Sequence, residues 1–383
     1  GANMGILRVD HPDIMEFITC KHDNRDLTNF NISVALTERF MRAAQNDEEY
    51  ELVNPRGGEM VKRLPAREVL DAIVDSAWRN GEPGIIFIDR INRDNPTPHV
   101  GEIESTNPCG EQPLLPNEAC NLGSINLARM VRMERGQPEV DWEKLRRTIH
   151  LSMRFLDDVI EVNRYPLEII DRAVKGNRKV GLGVMGFADM LIQLRIPYDT
   201  VEAIELAEQV MQYINSESKV ASAALAKERG PFPNFSGCIY DRVGEPALRN
   251  ATTTTIAPTG TLSIIAGCSS GIEPLFAISF VRSVMDNVKL IEVHPLFERL
   301  AKEEGFYSNE LMETIAKRGT VRGLQQVPEE MQRLFVTAHD IGPRWHVRMQ
   351  AAFQKHTDNS VSKTVNFHQD ATKEDVKQVF LLA

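Results

Sequence analysis

Two periodicities alternate along the chain. In NFNISVAL, Phe30, Ile32, Val34 and Leu36 fall on one face, and Asn29, Asn31 and Ser33 on the other. That is the period-two pattern of a strand. The stretches PGIIFIDRIN (83–92), KVGLGVMGF (179–187), NATTTTIAP (250–258) and SVSKTVNF (360–367) read as further strands. Helical patterns lie between them. PAREVLDAIVDSAWRNG opens on Pro65, suited to a first helical turn, and closes at Gly81. DWEKLRRTIHLSMRFLDDVIEV carries Leu145, Ile149, Met153, Leu156 and Ile160 at helical spacing. The run from Val201 predicts one long helix or a broken pair, stopped by Gly230 and Pro231. Alternating strands and helices predict an α/β fold with parallel strands and crossover helices. Several strands keep a polar face, which suits a barrel whose interior holds a polar loop and a ligand. The charged segment 301–335 reads as a peripheral helical insertion. With no repeat, low-complexity tract or Gly/Ser linker, residues 1–383 are expected to form one domain.

Composition narrows the classes. The chain has 383 residues, 42% of them apolar, enough for a large core. A net charge of -10 argues against a DNA duplex as partner, since phosphate binding needs a basic face. There is no run of 18 apolar residues and no charged start followed by an apolar signal segment, so neither a membrane span nor secretion is expected. Five widely spread cysteines do not make a secreted disulfide framework. A reducing cytoplasm is expected, with any functional cysteine pair redox-active. The chain opens GANMGILRVD and closes on the apolar VKQVFLLA; the expectation is a domain incomplete at both ends.

Two blocks carry candidate chemistry. In STNPCGEQPLLPNEACNLGSIN, Asn107, Cys109 and Glu111 occupy every second position, and Cys120 follows. In a straight strand Asn107 and Glu111 would stand about 13 Å apart. Pro108 and Gly110 instead predict a curved loop that wraps three polar groups around an object the size of a sugar ring. Glu111 suits a general base on a hydroxyl, Asn107 a donor to a second hydroxyl, and Cys109 a nucleophile, hydrogen-atom donor or redox partner. No zinc-ligand spacing is present, and no metal site is expected. The second block is TTTTIAPTGTLSIIAGCSSGIEP, where a threonine-rich strand meets a turn of small and hydroxyl residues. Such a turn exposes backbone N–H groups suited to phosphate oxygens.

Together these blocks resemble the ribonucleotide reductases, in the form of the adenosylcobalamin-dependent class (class II). NPCGEQPLLPNEACNLGSINLA is similar to the family's active-site loop, and TIAPTGTLSIIAGCSSGIEP to its substrate-phosphate loop. GANMGILRVDHPDIMEFI and LTNFNISVALTERFM also fit, so the resemblance covers the whole chain. It implies a ten-stranded α/β barrel of the ribonucleotide reductase and glycyl-radical type with an inserted finger loop, incomplete in this chain. It implies reduction of ribonucleotides to deoxyribonucleotides, with Cys109 carrying a thiyl radical that removes the 3′ hydrogen. Glu111 would take the 3′-hydroxyl proton, and Asn107 would bind the ribose hydroxyls. Cys120 would be one of two reducing thiols, its partner lying before residue 1. Asn107, Pro108, Cys109, Gly110 and Glu111 would touch substrate. Pro258, Thr259, Gly260, Thr261 and Leu262 would surround the diphosphate. Gly1, Ala2, Asn3, Met4 and Gly5 would be the tail of a loop coupling effector binding to substrate choice. Cys20, Cys238 and Cys268 match no family motif and read as incidental.

The implied partners are a ribonucleoside di- or triphosphate, dNTP or ATP effectors, a thioredoxin-like reductant and a second copy of the chain; neither DNA nor a membrane is expected. The implied cofactor is adenosylcobalamin. Three other readings stay open: an iron-dependent large subunit fed by a separate radical-generating subunit, a glycyl-radical reductase, and an inactive nucleotide-binding fragment.

Overall fold

The computed structural model describes residues 2–23, 25, 27–283 and 289–383. Along the chain the strands are β1 (Asn3–Arg8), β2 (Phe30–Leu36), β3 (Glu49–Val53), β4 (Met60–Pro65), β5 (Gly84–Phe87), β6 (Ser105–Thr106), β7 (Pro113–Leu114), β8 (Asn121–Asn126), β9 (Val131–Glu134), β10 (Gln137–Val140), β11 (Val180–Met185), β12 (Ser279–Ser283) and β13 (Lys289–Val293).

Two parallel arcs form the wall of an incomplete barrel. The first runs β1–β2–β5, with Asn3 opposite Phe30 and Ser33 opposite Gly84. The second begins with β8 beside β11, Asn121 opposite Val180. It continues through single bridges from Leu182 to Thr254 and from Ile256 to Val361. The stretches 250–258 and 360–367 are therefore extended segments and not full strands. Side chains compete for their backbone groups. The Thr253 N–H donates to the Asp358 carboxylate at 2.7 Å, and the Asp358 N–H to the Thr254 hydroxyl at 2.9 Å. The expected strand 83–92 is also shorter: after β5 the chain turns into a helix at Ile88–Arg93.

Helices cover the outside. Ala66–Asn80 is stopped by Gly81 in the left-handed region, φ 86°, while Pro65 ends β4 and sits at the cap position. Trp142–Val162 buries the five residues whose spacing predicted it, and Val201–Arg229 runs unbroken. Alternation on β11 decides which side they meet. Val180, Leu182 and Val184 are fully buried in one cluster with Leu145, Ile149, Val210 and Phe353. Each such side chain contributes about 1.5–3 kcal/mol of burial. On the opposite, inward face Gly181 and Gly183 leave the strand bare ahead of Met185. A Cβ on Gly183 would stand 2.2 Å from the Thr255 carbonyl oxygen, so the neighbouring segment approaches closer than any side chain allows. The peripheral insertion is present as helices Pro295–Glu303, Asn309–Arg318 and Glu329–Leu334 around their own core of Phe297, Ile315 and Phe335.

Asn3, Met4 and Gly5 open β1, paired in parallel with Phe30, Asn31 and Ile32. Ala2 precedes the strand, and Gly1 lies outside the described residues. Among the described residues no helix is long and apolar enough to cross a membrane.

Candidate active site

β6 and β7 pair antiparallel, with Thr106 opposite Pro113, so residues 107–112 form the tip of a narrow hairpin. The Gly110 N–H donates to the Asn107 carbonyl at 3.0 Å. This closes a four-residue turn with Pro108 at its second position and Gly110 at φ +78°. The curvature expected from Pro108 and Gly110 is thus a tight turn with Cys109 exposed near its tip. Two bonds lock its base. The Asn107 N–H donates to the Gln112 carbonyl at 3.2 Å, and the Gln112 N–H to Asn107 Oδ1 at 3.0 Å. The second bond occupies the Asn107 amide oxygen and leaves Nδ2 as the group able to reach a ligand.

Both arcs of the wall hold the loop. From the first, Asn31 Nδ2 on β2 donates to the Pro108 carbonyl at 2.9 Å. From the second, the Glu111 carbonyl accepts from Thr255 Oγ1 at 2.7 Å and from the Ser360 N–H at 3.0 Å. A finger loop spanning the barrel is therefore tied at both walls. The sequence signals none of Asn31, Thr255 and Ser360 as a tie to this loop; Asn31 shows only its place on the polar face of β2, and Thr255 only its place in the threonine-rich segment.

Glu111 is 3% exposed, and its Oε2 is buried with no hydrogen-bond partner. Leaving a buried carboxylate oxygen unpaired is costly, and this atom keeps a free acceptor site. Its charge is felt by both thiols of the block. Partial burial, and then Glu111, raise the Cys109 thiol above its ordinary pKa. Burial drives Cys120 up further; Glu118 and Glu111 add to this, and Lys179 opposes it. Both sulfurs are therefore held as S–H at neutral pH. Cys120 Sγ donates to the Lys179 carbonyl at 3.4 Å. Beside it, Lys179 Nζ and Glu118 Oε2 form a buried ion pair at 2.7 Å. Glu118 is further held by the Leu115 N–H at 2.9 Å and Asn177 Nδ2 at 2.7 Å. Among the described residues all five cysteines are free; Cys238 is buried, and Cys20 and Cys268 are partly buried.

The second block continues from the wall segment that holds Glu111. Thr252, Thr253, Thr254 and Thr255 are buried in the fold. Thr259 takes the left-handed region at φ 54°, and its hydroxyl accepts from the Gly271 N–H at 2.7 Å. That bond shapes the turn. A short helix follows, Gly260–Ala266, whose first backbone bond runs from the Ser263 N–H to the Thr259 carbonyl. The N–H groups of Gly260, Thr261 and Leu262 precede it and have no acceptor within the helix. These three residues are exposed, while Pro258 is half-buried. A separate cavity of about 470 Å³ at Arg195, Glu329, Glu330 and Arg333 shares no residue with either block.

Comparison with known proteins identifies the family. The family model described as "Ribonucleotide reductase, barrel domain" matches residues 1–247 and 239–383. A vitamin B12-dependent ribonucleoside-diphosphate reductase of Thermoplasma acidophilum is 54% identical across all of this chain and 49% of its own length. One from Mycobacterium tuberculosis (strain ATCC 25618 / H37Rv) is 50% identical across all of this chain and 53% of its own. The chain thus spans about half the length of the curated relatives it matches. Among solved structures, the class Id ribonucleotide reductase alpha subunit of Actinobacillus ureae superposes with a TM-score of 0.79 at 22% identity, over 99% of this chain and 67% of that one. This last likeness bears on the fold alone.

Proposed function

The chain belongs to the ribonucleotide reductase family, and from that premise we propose that the full-length protein reduces ribonucleotides to 2′-deoxyribonucleotides by thiyl-radical chemistry. The observation that carries this is the 107–112 turn. It presents a protonated thiol at an exposed tip, an amide donor at its base and a buried carboxylate oxygen with no partner.

In this reading Cys109 gives up its hydrogen atom to become the radical that removes the 3′ hydrogen of the ribose. Glu111 Oε2 takes the 3′-hydroxyl proton. Asn107 Nδ2 donates to a ribose hydroxyl and helps the 2′ group leave as water. Cys120 and a second thiol supply two electrons and two protons and close to a disulfide. The backbone N–H groups of Gly260, Thr261 and Leu262, with Pro258 and Thr259 shaping the turn, face the diphosphate. The backbone of Pro108 and Gly110 completes the contact with substrate.

Adenosylcobalamin asks of this chain an S–H group that a radical can reach, and the exposed, protonated Cys109 fits that demand. When bound, the cofactor supplies the radical. The names of the two curated relatives support this source over an iron-containing partner subunit. Nucleotide effectors, a thioredoxin-like reductant, a homodimer and a cytoplasmic location follow from the same reading.

The test is deoxynucleotide formation by the full-length protein from nucleoside di- and triphosphates, with a dithiol reductant. Product is expected with adenosylcobalamin and absent without it. Turnover that ignores the cofactor but requires a second, iron-containing subunit would move the protein to the iron-dependent class. No product under either condition would favour an inactive nucleotide-binding role.

A further inference from the structure

Gln112 stands next to the proposed base, and none of the roles above uses its side chain. It is 2% exposed, and both Oε1 and Nε2 are buried with no hydrogen-bond partner. Each buried polar group left in that condition is destabilising. The fold alone therefore gives no reason for an amide here, because a methionine or leucine would fill the same volume without that penalty.

The surroundings explain why no protein group reaches it. The amide nitrogen lies over the bare backbone of Gly181, 2.6 Å from where a Cβ would stand. The same point is 2.6 Å from Leu122 Cδ2 and 2.6 Å from Thr255 Cγ2, both apolar carbons. Gly181 pairs with Leu122 on the inner face of the wall. Cys120 lies two residues before Leu122 in the chain, its Sγ bonded to the Lys179 carbonyl. On the other side of Gln112 in the chain is Glu111, with its own unpartnered Oε2. The backbone of Gln112 is clamped to Asn107 in both directions, so the amide is presented from a rigid stem.

Glu111 Oε2 and both ends of the Gln112 amide are thus unfilled on consecutive residues of the loop. A carboxamide offers an acceptor and a two-proton donor. A phosphate complements only the donor, and an apolar group neither. Two adjacent hydroxyls, each able to give and to accept, complement both. We infer that the Gln112 carboxamide binds the vicinal ribose hydroxyls of the nucleotide, as a further substrate-binding residue on the inner wall. The inference rests on the reading of the substrate as a ribonucleotide.

Gln112→Met in the full-length protein removes both polar ends and keeps the unbranched length. Calorimetric titration would compare a ribonucleoside diphosphate with its 2′,3′-dideoxy analogue. The variant is expected to bind the ribonucleotide about tenfold more weakly and the dideoxy analogue with unchanged affinity. Its melting temperature should equal or exceed that of wild type, because two unpaired buried groups are gone. Equal weakening for both ligands, weakening for neither, or a lowered melting temperature would overturn the assignment. Should Gln112→Met not fold, Gln112→Leu repeats the test, and failure of both to fold means the amide serves the structure. A wild-type protein that binds ribonucleotide no better than the dideoxy analogue would instead remove the substrate reading itself.

Discussion

Cys109→Ser is expected to bring deoxynucleotide formation below roughly a thousandth of wild type, about 4 kcal/mol in activation free energy. A serine O–H is a far poorer hydrogen-atom donor than a thiol, so the radical has nowhere to go. The fold has little stake in the sulfur. Cys109 is exposed near the tip of its turn. The bonds that hold the turn come from the backbone of Asn107, Pro108, Gly110, Glu111, Gln112 and Ser360 and from the side chains of Asn31, Asn107 and Thr255. Nucleotide affinity and melting temperature should therefore stay close to wild type. Steady-state turnover on the full-length enzyme reads the effect, and residual activity above that level would count against the thiyl role.

Glu111→Gln should slow turnover by about 10²–10⁴-fold, the usual range for loss of a general base. The substitution keeps the side-chain volume. It also leaves untouched the carbonyl that accepts from Thr255 and Ser360. What changes is the buried Oε2, which in wild type has no hydrogen-bond partner. An amide can hydrogen-bond there but cannot be protonated at neutral pH. The loss should fall on kcat with the nucleotide dissociation constant nearly unchanged. A kcat equal to wild type across neutral pH would place the base elsewhere.

The shape of the loop is legible in the sequence. The alternation of Asn107, Cys109 and Glu111 around Pro108 and Gly110 predicted a curved loop with polar groups turned to one object, and a tight turn is what forms. The helices Trp142–Val162 and Val201–Arg229 were legible because their apolar positions keep one face over many turns. Other features depended on partners distant in sequence. Nothing near Thr255 or Ser360 says that they will hold the Glu111 carbonyl, 144 residues from Thr255. Nor do Gly181 and Gly183 announce that a loop will lie against them; the reason appears only when Gln112 and Thr255 arrive on their inner face. The four threonines before Ile256 read only as part of a strand, and burial turns their hydroxyls into internal ties. The strand β1 was hidden because Asn3 and Gly5 break the apolar alternation that pairing with β2 overrides.

The central claim is that the Cys109 sulfur removes hydrogen from the 3′ carbon of a ribonucleotide. Competition between ordinary and 3′-deuterated nucleoside diphosphate, with the full-length enzyme, adenosylcobalamin and a dithiol, tests it most directly. A primary isotope effect on kcat/KM, lost together with turnover in Cys109→Ser, is the expected result. Product formed at equal rates from both substrates, or an isotope effect that survives in Cys109→Ser, would contradict it.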